Sequence, residues 1–194
     1  MFKKILFPLI IILYFSIPRI SISQFAYIGI GGDYGLPLGD FSGMNKSSFG
    51  VNLQLEFRQI CELWYGARFD YIPYQQQDTA TNYFKDAFYF SPNIKFNILG
   101  SLLHKGGIGE YSNRFLPYLE ALLTLSAIGG TDEENRLGLG AGLGAGIVYN
   151  FHLFRRCASL DLNAIYSSPN FILKSEKRKS LQNVIISLSL SICI

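Results

Sequence analysis

The chain has 194 residues, of which 49% are hydrophobic, 15% aromatic and 16% charged, and its formal net charge is +3. This length suits a single domain and leaves no room for a second folded unit once a targeting segment is removed. The weak net charge, with 19 glycines and many aromatic residues, argues against a nucleic-acid-binding protein.

The N-terminus has the three regions of a secretory signal peptide. Two lysines near the start form a basic region, an apolar run covers residues 5–17, and residues 21–23 are small enough for a cleavage site. We expect residues 1–23 to be a signal peptide and residues 24–194 to be the mature domain. The alternative is a membrane anchor, but this run is shorter than the roughly 20 residues that a transmembrane helix needs.

Apolar and polar residues alternate with a period of two through the rest of the chain, which indicates β-strands with one apolar face. The predicted strands cover residues 26–36, 49–59, 63–73, 87–98, 115–127, 137–149, 158–167 and 182–193. The apolar face carries no charged side chain, and a lysine or arginine there would cost about 2–4 kcal/mol at mid-bilayer. The pattern predicts an all-β fold: an eight-stranded antiparallel up-and-down transmembrane β-barrel of the bacterial outer membrane.

A soluble barrel with apolar residues inside is the structural alternative. The strand 137–149 argues against it, because alternate residues 138–146 on its second face are all glycine. Glycines give a soluble protein no solvating side chains, whereas in a narrow lumen they leave room for large inward groups such as Trp64, Arg68 and Tyr118. The second face of the last strand is similarly small, with three serines between residues 187 and 191.

The connections predict the topology. The polar connections 39–48, 74–86, 128–136 and 168–181 should face outside the cell, and the connections 60–62, 99–114 and 150–157 should face the periplasm. Pro92 and Pro117 lie inside predicted strands, and we expect a bulge or strand break at each. Aromatic residues near strand ends predict two interfacial girdles, with Tyr71, Tyr74, Phe84, Phe88 and Tyr89 at one end and Phe57, Phe115, Tyr149, Phe151 and Phe154 at the other.

Charged residues are confined to the inward face. The candidate members of a lumen charge network are Glu56, Arg58, Arg68, Asp70, Lys95, Glu120 and Asp161. Because an unpaired buried charge is costly, we expect them to form ion pairs that seal the lumen. The alternative is a polar conduit for small solutes, although an eight-stranded interior is only wide enough to be filled by side chains.

Two further sets of residues are candidates for contacts. The basic residues Lys174, Lys177, Arg178 and Lys179 lie between the last two strands, where they form either a solvated hairpin tip or a contact with lipopolysaccharide phosphates. Cys157 and Cys193 share the inward face of adjacent strands, and the oxidising periplasm permits a disulfide between them, which would leave Cys61 free.

Catalytic and cofactor motifs are weak. His104 and His152 both lie in predicted periplasmic connections, the wrong side for chemistry on outer-leaflet lipid. The segment 140–145 matches a dinucleotide fingerprint in form, but no helix pattern follows it. No histidine, cysteine and carboxylate cluster has metal-ligand spacing. We therefore expect no enzyme activity and no cofactor.

The opening residues 27–32 and 36–41 and the closing alternation 184–194 resemble the outer membrane protein beta-barrel family, which includes OmpA/OmpX-like transmembrane domains and PorT-like small barrels. The resemblance implies integral localisation in the outer membrane and recognition by the barrel-assembly machinery, although the last residue is Ile194 where the family usually has an aromatic. The family's functions are varied.

Two functions remain open on the sequence. The first is a structural or interaction barrel that displays its external loops to outer-membrane lipid, lipopolysaccharide or an unknown protein partner, with no role for nucleic acid. The alternative is a narrow solute pore or a PorT-like accessory to protein export.

Overall fold

The computed structural model describes residues 25–58, 62–78, 80, 83–99, 115–130, 136–153, 156–168 and 181–194. Its elements are β1 (Phe25–Leu38), a 3-10 helix (Gly39–Phe41), β2 (Asn45–Lys46), β3 (Ser48–Arg58), β4 (Leu63–Pro73), β5 (Gln75–Gln76), β6 (Phe84–Asn97), β7 (Phe115–Gly130), β8 (Arg136–Leu153), β9 (Arg156–Ser168) and β10 (Gln182–Cys193). Within these ranges, no helix is both long and apolar enough to cross a lipid bilayer. The predicted signal peptide lies outside the described residues.

The eight long strands close into a barrel in the order β1-β10-β9-β8-β7-β6-β4-β3, and every neighbouring pair is antiparallel. The first and last strands close the ring, with Tyr27 opposite Cys193 and Leu38 opposite Gln182. Closure satisfies the backbone of both strands, because a closed sheet leaves no edge. All eight predicted strands are confirmed. The end of the barrel at which β1 finishes is called the loop end. The end at which β1 begins is called the terminus end.

Side chains alternate between the lumen and the outer surface, as the period of two requires. Ile30 is 63% exposed and Leu143 is 69% exposed on the outer face, whereas Asp33 and Asp161 on the inner face are each 2% exposed. Such a continuous apolar surface is far larger than the patches that soluble monomers expose. It suits lipid, and the predicted polar-in, apolar-out arrangement is confirmed.

The prediction of a bulge or strand break at each proline is wrong. β6 runs unbroken through Pro92, and its register with β7 is the same on both sides of it, with Phe90 opposite Leu125 and Asn93 opposite Leu122. At Pro117 the backbone carbonyl faces the end of β6, where it accepts a hydrogen bond from the Ile98 amide at 3.0 Å. Because β6 ends there, the lack of a backbone N–H on Pro117 removes little from the hydrogen bonding between β6 and β7.

The glycines of β8 make room for side chains of the neighbouring strand β7. A Cβ at Gly146 would lie 2.5 Å from the Tyr118 hydroxyl oxygen, and one at Gly142 would lie 2.8 Å from Leu122 Cδ1. Both contacts are shorter than a Cβ tolerates, and a Cβ at Gly142 would also lie 2.8 Å from the Tyr166 backbone oxygen. A larger residue at either position would therefore force its neighbours to shift. Of the large groups predicted to use this space, Tyr118 does so, and Leu122 takes the neighbouring position.

Aromatic pairs surround the outer face at both ends of the barrel. The rings of Tyr71 and Phe88 are 4.8 Å apart at the loop end, and those of Phe115 and Tyr149 are 4.7 Å apart at the terminus end. Three residues assigned to the loop-end girdle are instead buried inside the barrel, so that part of the prediction is wrong; they are Tyr74, Phe84 and Tyr89. Phe154 lies outside the described residues.

Candidate functional site

The middle of the lumen is organised around Arg68 on β4. Its Nη2 lies 2.5 Å from Asp70 Oδ1 and 3.2 Å from Asp33 Oδ1. The same nitrogen donates to Ser187 Oγ at 2.8 Å, and Asn52 Nδ2 donates to Asp33 at 2.6 Å. Arg68 is 3% exposed. A buried guanidinium is therefore held between two carboxylates that come from β1 and β4, with hydroxyl and amide groups completing the set.

A second group of charges lies toward the terminus end, around Lys95 on β6. Its Nζ is 2.8 Å from Glu56 Oε2 and 2.7 Å from Asp161 Oδ2. The Tyr118 hydroxyl donates to the other Asp161 oxygen at 2.7 Å, and the ammonium lies 4.6 Å from the centre of the Tyr118 ring. These contacts join β3, β6, β7 and β9 across the lumen, so Lys95 links strands that are not neighbours in the ring.

Arg58 extends this second group to the terminus end. Its Nε lies 2.6 Å from Glu56 Oε1, so Glu56 bridges the arginine and Lys95. The guanidinium carbon lies 3.9 Å from the centre of the Tyr27 ring and 4.4 Å from that of Trp64. Cation–π contacts of this kind are strongest when the cation is removed from water. Arg58 thus connects the charged group around Lys95 with the aromatic side chains of Tyr27 and Trp64.

The membership of the charge network differs from the prediction at two carboxylates. Asp33, which was not among its predicted members, joins it through Arg68, and its inward position on β1 is the sequence signal that could have identified it. Glu120 faces Lys95 in the register, yet its Oε1 accepts a hydrogen bond from Asn93 Nδ2 at 2.5 Å, and its Oε2 has no hydrogen-bond partner. Glu120 is 2% exposed and therefore lies in the lumen beside the network.

Buried apolar clusters lie toward both ends of the barrel interior. The loop-end cluster consists of Phe41, Ile72, Tyr74, Phe84, Ala87, Tyr89, Ile128, Leu181 and Ile185, and the terminus-end cluster consists of Trp64, Leu116, Tyr118 and Val148. Between the described residues, a cavity of about 10 Å³ remains beside Arg68, Asp70 and Thr124. This volume suits a single water molecule.

The first two loop-end connections form a cap over the barrel, a feature absent from the predicted elements. β2 from one connection pairs with β5 from the other, and Asn45 Nδ2 donates to the Phe84 carbonyl at 2.6 Å. Gly39 has a positive φ of 55°, which permits the turn that brings Phe41 inward, and Phe41 is fully buried against Tyr74. An apolar Phe41 in a polar connection is the signal that could have indicated this cap.

The remaining candidate residues have the following positions. Five of them lie outside the described residues, namely the basic residues Lys174, Lys177, Arg178 and Lys179, and His104. His152 is exposed near the end of β8. Cys157 and Cys193 are free and half-buried. Across the described ranges, no group of three or more histidine, cysteine, aspartate or glutamate side chains is placed to hold a metal ion.

A scan against protein-family models found no match, and a sequence search of curated proteins found none. Neisserial surface protein A is similar in structure with a TM-score of 0.56 at 13% identity, covering 87% of this chain and 97% of that one. Ail of Yersinia pestis has a TM-score of 0.52 at 15% identity, covering 89% of this chain and 100% of that one. The N-terminal barrel domain of Pseudomonas aeruginosa OprF has a TM-score of 0.50 at 14% identity, covering 88% and 97%. This is the fold of integral outer-membrane barrels of the OmpA/OmpX-like type, and the predicted fold class and resemblance are confirmed.

Proposed function

We propose that this chain is a sealed barrel of the bacterial outer membrane that acts in structure and interaction rather than in transport or catalysis. In this role the lumen is a rigid core, and the loop end is the surface that meets outer-leaflet lipid or a partner protein. The loop end then faces outside the cell, and the periplasm receives the terminus end, in agreement with the short connection between β8 and β9.

The filling of the lumen is the observation that carries this proposal. Arg68 lies in the middle of the lumen and Lys95 toward the terminus end, and each is paired with two carboxylates. Both side chains are buried. In further support, buried apolar clusters lie toward the two ends of the barrel. A continuous water path would require these groups to move apart and leave charges unpaired, which is costly.

We expect the mature barrel to show no steady current in planar phosphatidylcholine bilayers, since its ion pairs and apolar clusters leave no path for ions. Single-channel recording checks this, with heat-denatured protein added to the same bilayer as the control. A steady, reproducible conductance of the unmodified protein would contradict the sealed lumen and favour the alternative function, a narrow solute pore.

The basic residues Lys174, Lys177, Arg178 and Lys179 are the proposed contact with lipopolysaccharide phosphates. In support, the connection that carries them joins β9 to β10 at the loop end, and Ail, which has the same fold, was solved in complex with the heparin analogue sucrose octasulfate. Replacing all four residues by glutamine should weaken lipopolysaccharide binding by about 1 kcal/mol per cation removed.

Titration of the detergent-solubilised barrel with lipopolysaccharide measures this loss, and Lys85→Gln, a single exposed change on β6, is the control variant. Equal affinity of the four-residue variant and the unmodified barrel, with no difference in salt dependence, would reject the contact.

We also propose that Cys157 and Cys193 form a disulfide in the periplasm. Ile192 lies opposite Ala158, so the two cysteines are the next directly opposed pair of β9 and β10. Opposed residues of an antiparallel pair have Cα atoms about 4.5–5.5 Å apart, within the range of a disulfide. Alkylation of the oxidised protein should therefore label Cys61 alone, and reduction should expose three thiols. Three labelled thiols without reductant would exclude the bridge.

A further inference from the structure

The outer face of the barrel has an open groove of about 800 Å³ that crosses β6, β7, β8 and β9 and reaches the first residue of β10, and most of the residues that line it face outward. Small residues form its floor, namely Pro92, Ala121 and Ala141, and larger neighbours such as Ile94, Leu143 and Tyr166 stand beside them. Ile94 is 54% exposed and Leu143 is 69% exposed, so these side chains project from the surface on either side of the floor. The groove therefore lies within the apolar band that contacts lipid.

The groove follows a row of paired residues across the strands. Leu123 lies opposite Ala141, Ala141 lies opposite Ser168, and Gln182 adjoins Ser168 at the first residue of β10. Pro92 lies near the middle of β6, whereas Ser168 and Gln182 end and begin their strands at the loop end. The groove thus rises from the middle of the barrel to its loop-end rim.

The dimensions of the groove match one leaflet of a bilayer. Four steps between neighbouring strands, each about 4.8 Å, give a length of roughly 19 Å. Because barrel strands are tilted by about 35–45°, a row perpendicular to them rises by roughly 12 Å over this length. One leaflet of the hydrocarbon core is about 15 Å thick. The polar residues Ser168 and Gln182 lie at the rim end of the groove, and the outward-facing residues at the other end, Pro92 and Ile94, are apolar. Asn93 lies between these two, and its side chain faces the lumen, where it donates to Glu120.

We propose that this groove binds the acyl chain of a single lipid from the loop-end leaflet, with the polar part of the lipid beside Ser168 and Gln182. The apolar floor and walls suit a hydrocarbon chain, and the rim provides a hydroxyl and an amide for the glycerol or headgroup oxygens. The inference depends on the proposed membrane insertion but on neither the sealed lumen nor the basic residues between β9 and β10.

A second copy of the chain fits this surface less well than a lipid does. Two-fold association would place the same concave surface on both copies, and two facing depressions leave a void. A flexible acyl chain adapts to an irregular floor of Pro92, Ala121 and Ala141 without requiring a matching ridge.

Native mass spectrometry of the mature barrel tests the proposal, with dipalmitoyl phosphatidylglycerol added as the probe in mild detergent. We expect one lipid retained per unmodified barrel. Ala141→Phe should lower that occupancy by about tenfold or more, because the ring fills the floor of the groove. Ala145→Phe is the matched control, since Ala145 lies on the same strand and the same exposed face outside the groove, and it should leave occupancy unchanged.

Folding of each variant is verified by the mobility shift between boiled and unboiled samples, and Ala121→Phe replaces Ala141→Phe if the latter does not fold. Equal retention in the groove and control variants, or no retained lipid in the unmodified barrel, would overturn the proposal. A lipid-free dimer that Ala141→Phe dissociates would also overturn it and assign the groove to a second copy. Conductance is recorded separately, so a leaky lumen would not affect this result.

Discussion

Arg68→Ala should lower the free energy of unfolding of the barrel by about 3–5 kcal/mol, because it leaves two buried carboxylates without their shared cation. Asp33 and Asp70 both contact the guanidinium, and each is at most 2% exposed. Urea unfolding in lipid vesicles measures the change. Trp64 is the only tryptophan and is buried at the terminus end, so its fluorescence reports loss of the barrel.

Lys46→Ala is the control for removal of a cation. Its ion pair with Asp78 is exposed, with 40% and 84% of the two side chains accessible, and such pairs contribute about 0–1 kcal/mol. Adding Asp33→Asn and Asp70→Asn to the Arg68→Ala variant should restore much of the lost stability, since the unpaired charges are then removed. A loss below about 1 kcal/mol for Arg68→Ala, or no recovery in the triple variant, would show that this group of charges does not support the fold.

Phe41→Ala should loosen the cap while the barrel stays closed. Phe41 is fully buried, and truncating a buried phenylalanine costs about 3–5 kcal/mol. Its contacts with Tyr74 and Phe84 hold the 3-10 helix over the loop end, so the cost falls first on the segments 39–47 and 74–78. Limited proteolysis with mass spectrometry should find faster cleavage in these segments and an unchanged mobility shift of the barrel on gels.

Leu38→Ala is the matched control for the cap, because Leu38 lies beside it at the end of β1 but is 37% exposed. Its cleavage rate should stay close to that of the unmodified protein. If Phe41→Ala is cleaved no faster than Leu38→Ala, the two connections are held by the β2–β5 pairing alone. If the mobility shift is lost as well, the cap and the barrel unfold as one unit.

The sequence by itself determined the strands and the direction of most side chains. Because side chains in a strand alternate, one apolar face fixes the register, and a slip of one residue would place Asp70 in lipid and Phe69 in the lumen. The same alternation already placed Tyr74 and Tyr89 inside the barrel, and the girdle prediction failed for them because it considered only their nearness to strand ends. Phe84 is different, since the pairing of β6 with β7 shifts between Phe84 and Asp86 and turns its ring inward.

Only the tertiary structure decided the partners of the buried charges. Lys95 faces Glu120 on the neighbouring strand, yet it pairs with Glu56 and Asp161 from β3 and β9. These strands meet across the lumen because the tilted strands close into a ring, and neither spacing nor charge pattern along the chain encodes that approach. The sequence pattern did not predict the cap for a related reason. β2 and β5 have two residues each, too few to show a period, and they form only because the closed barrel brings their connections together.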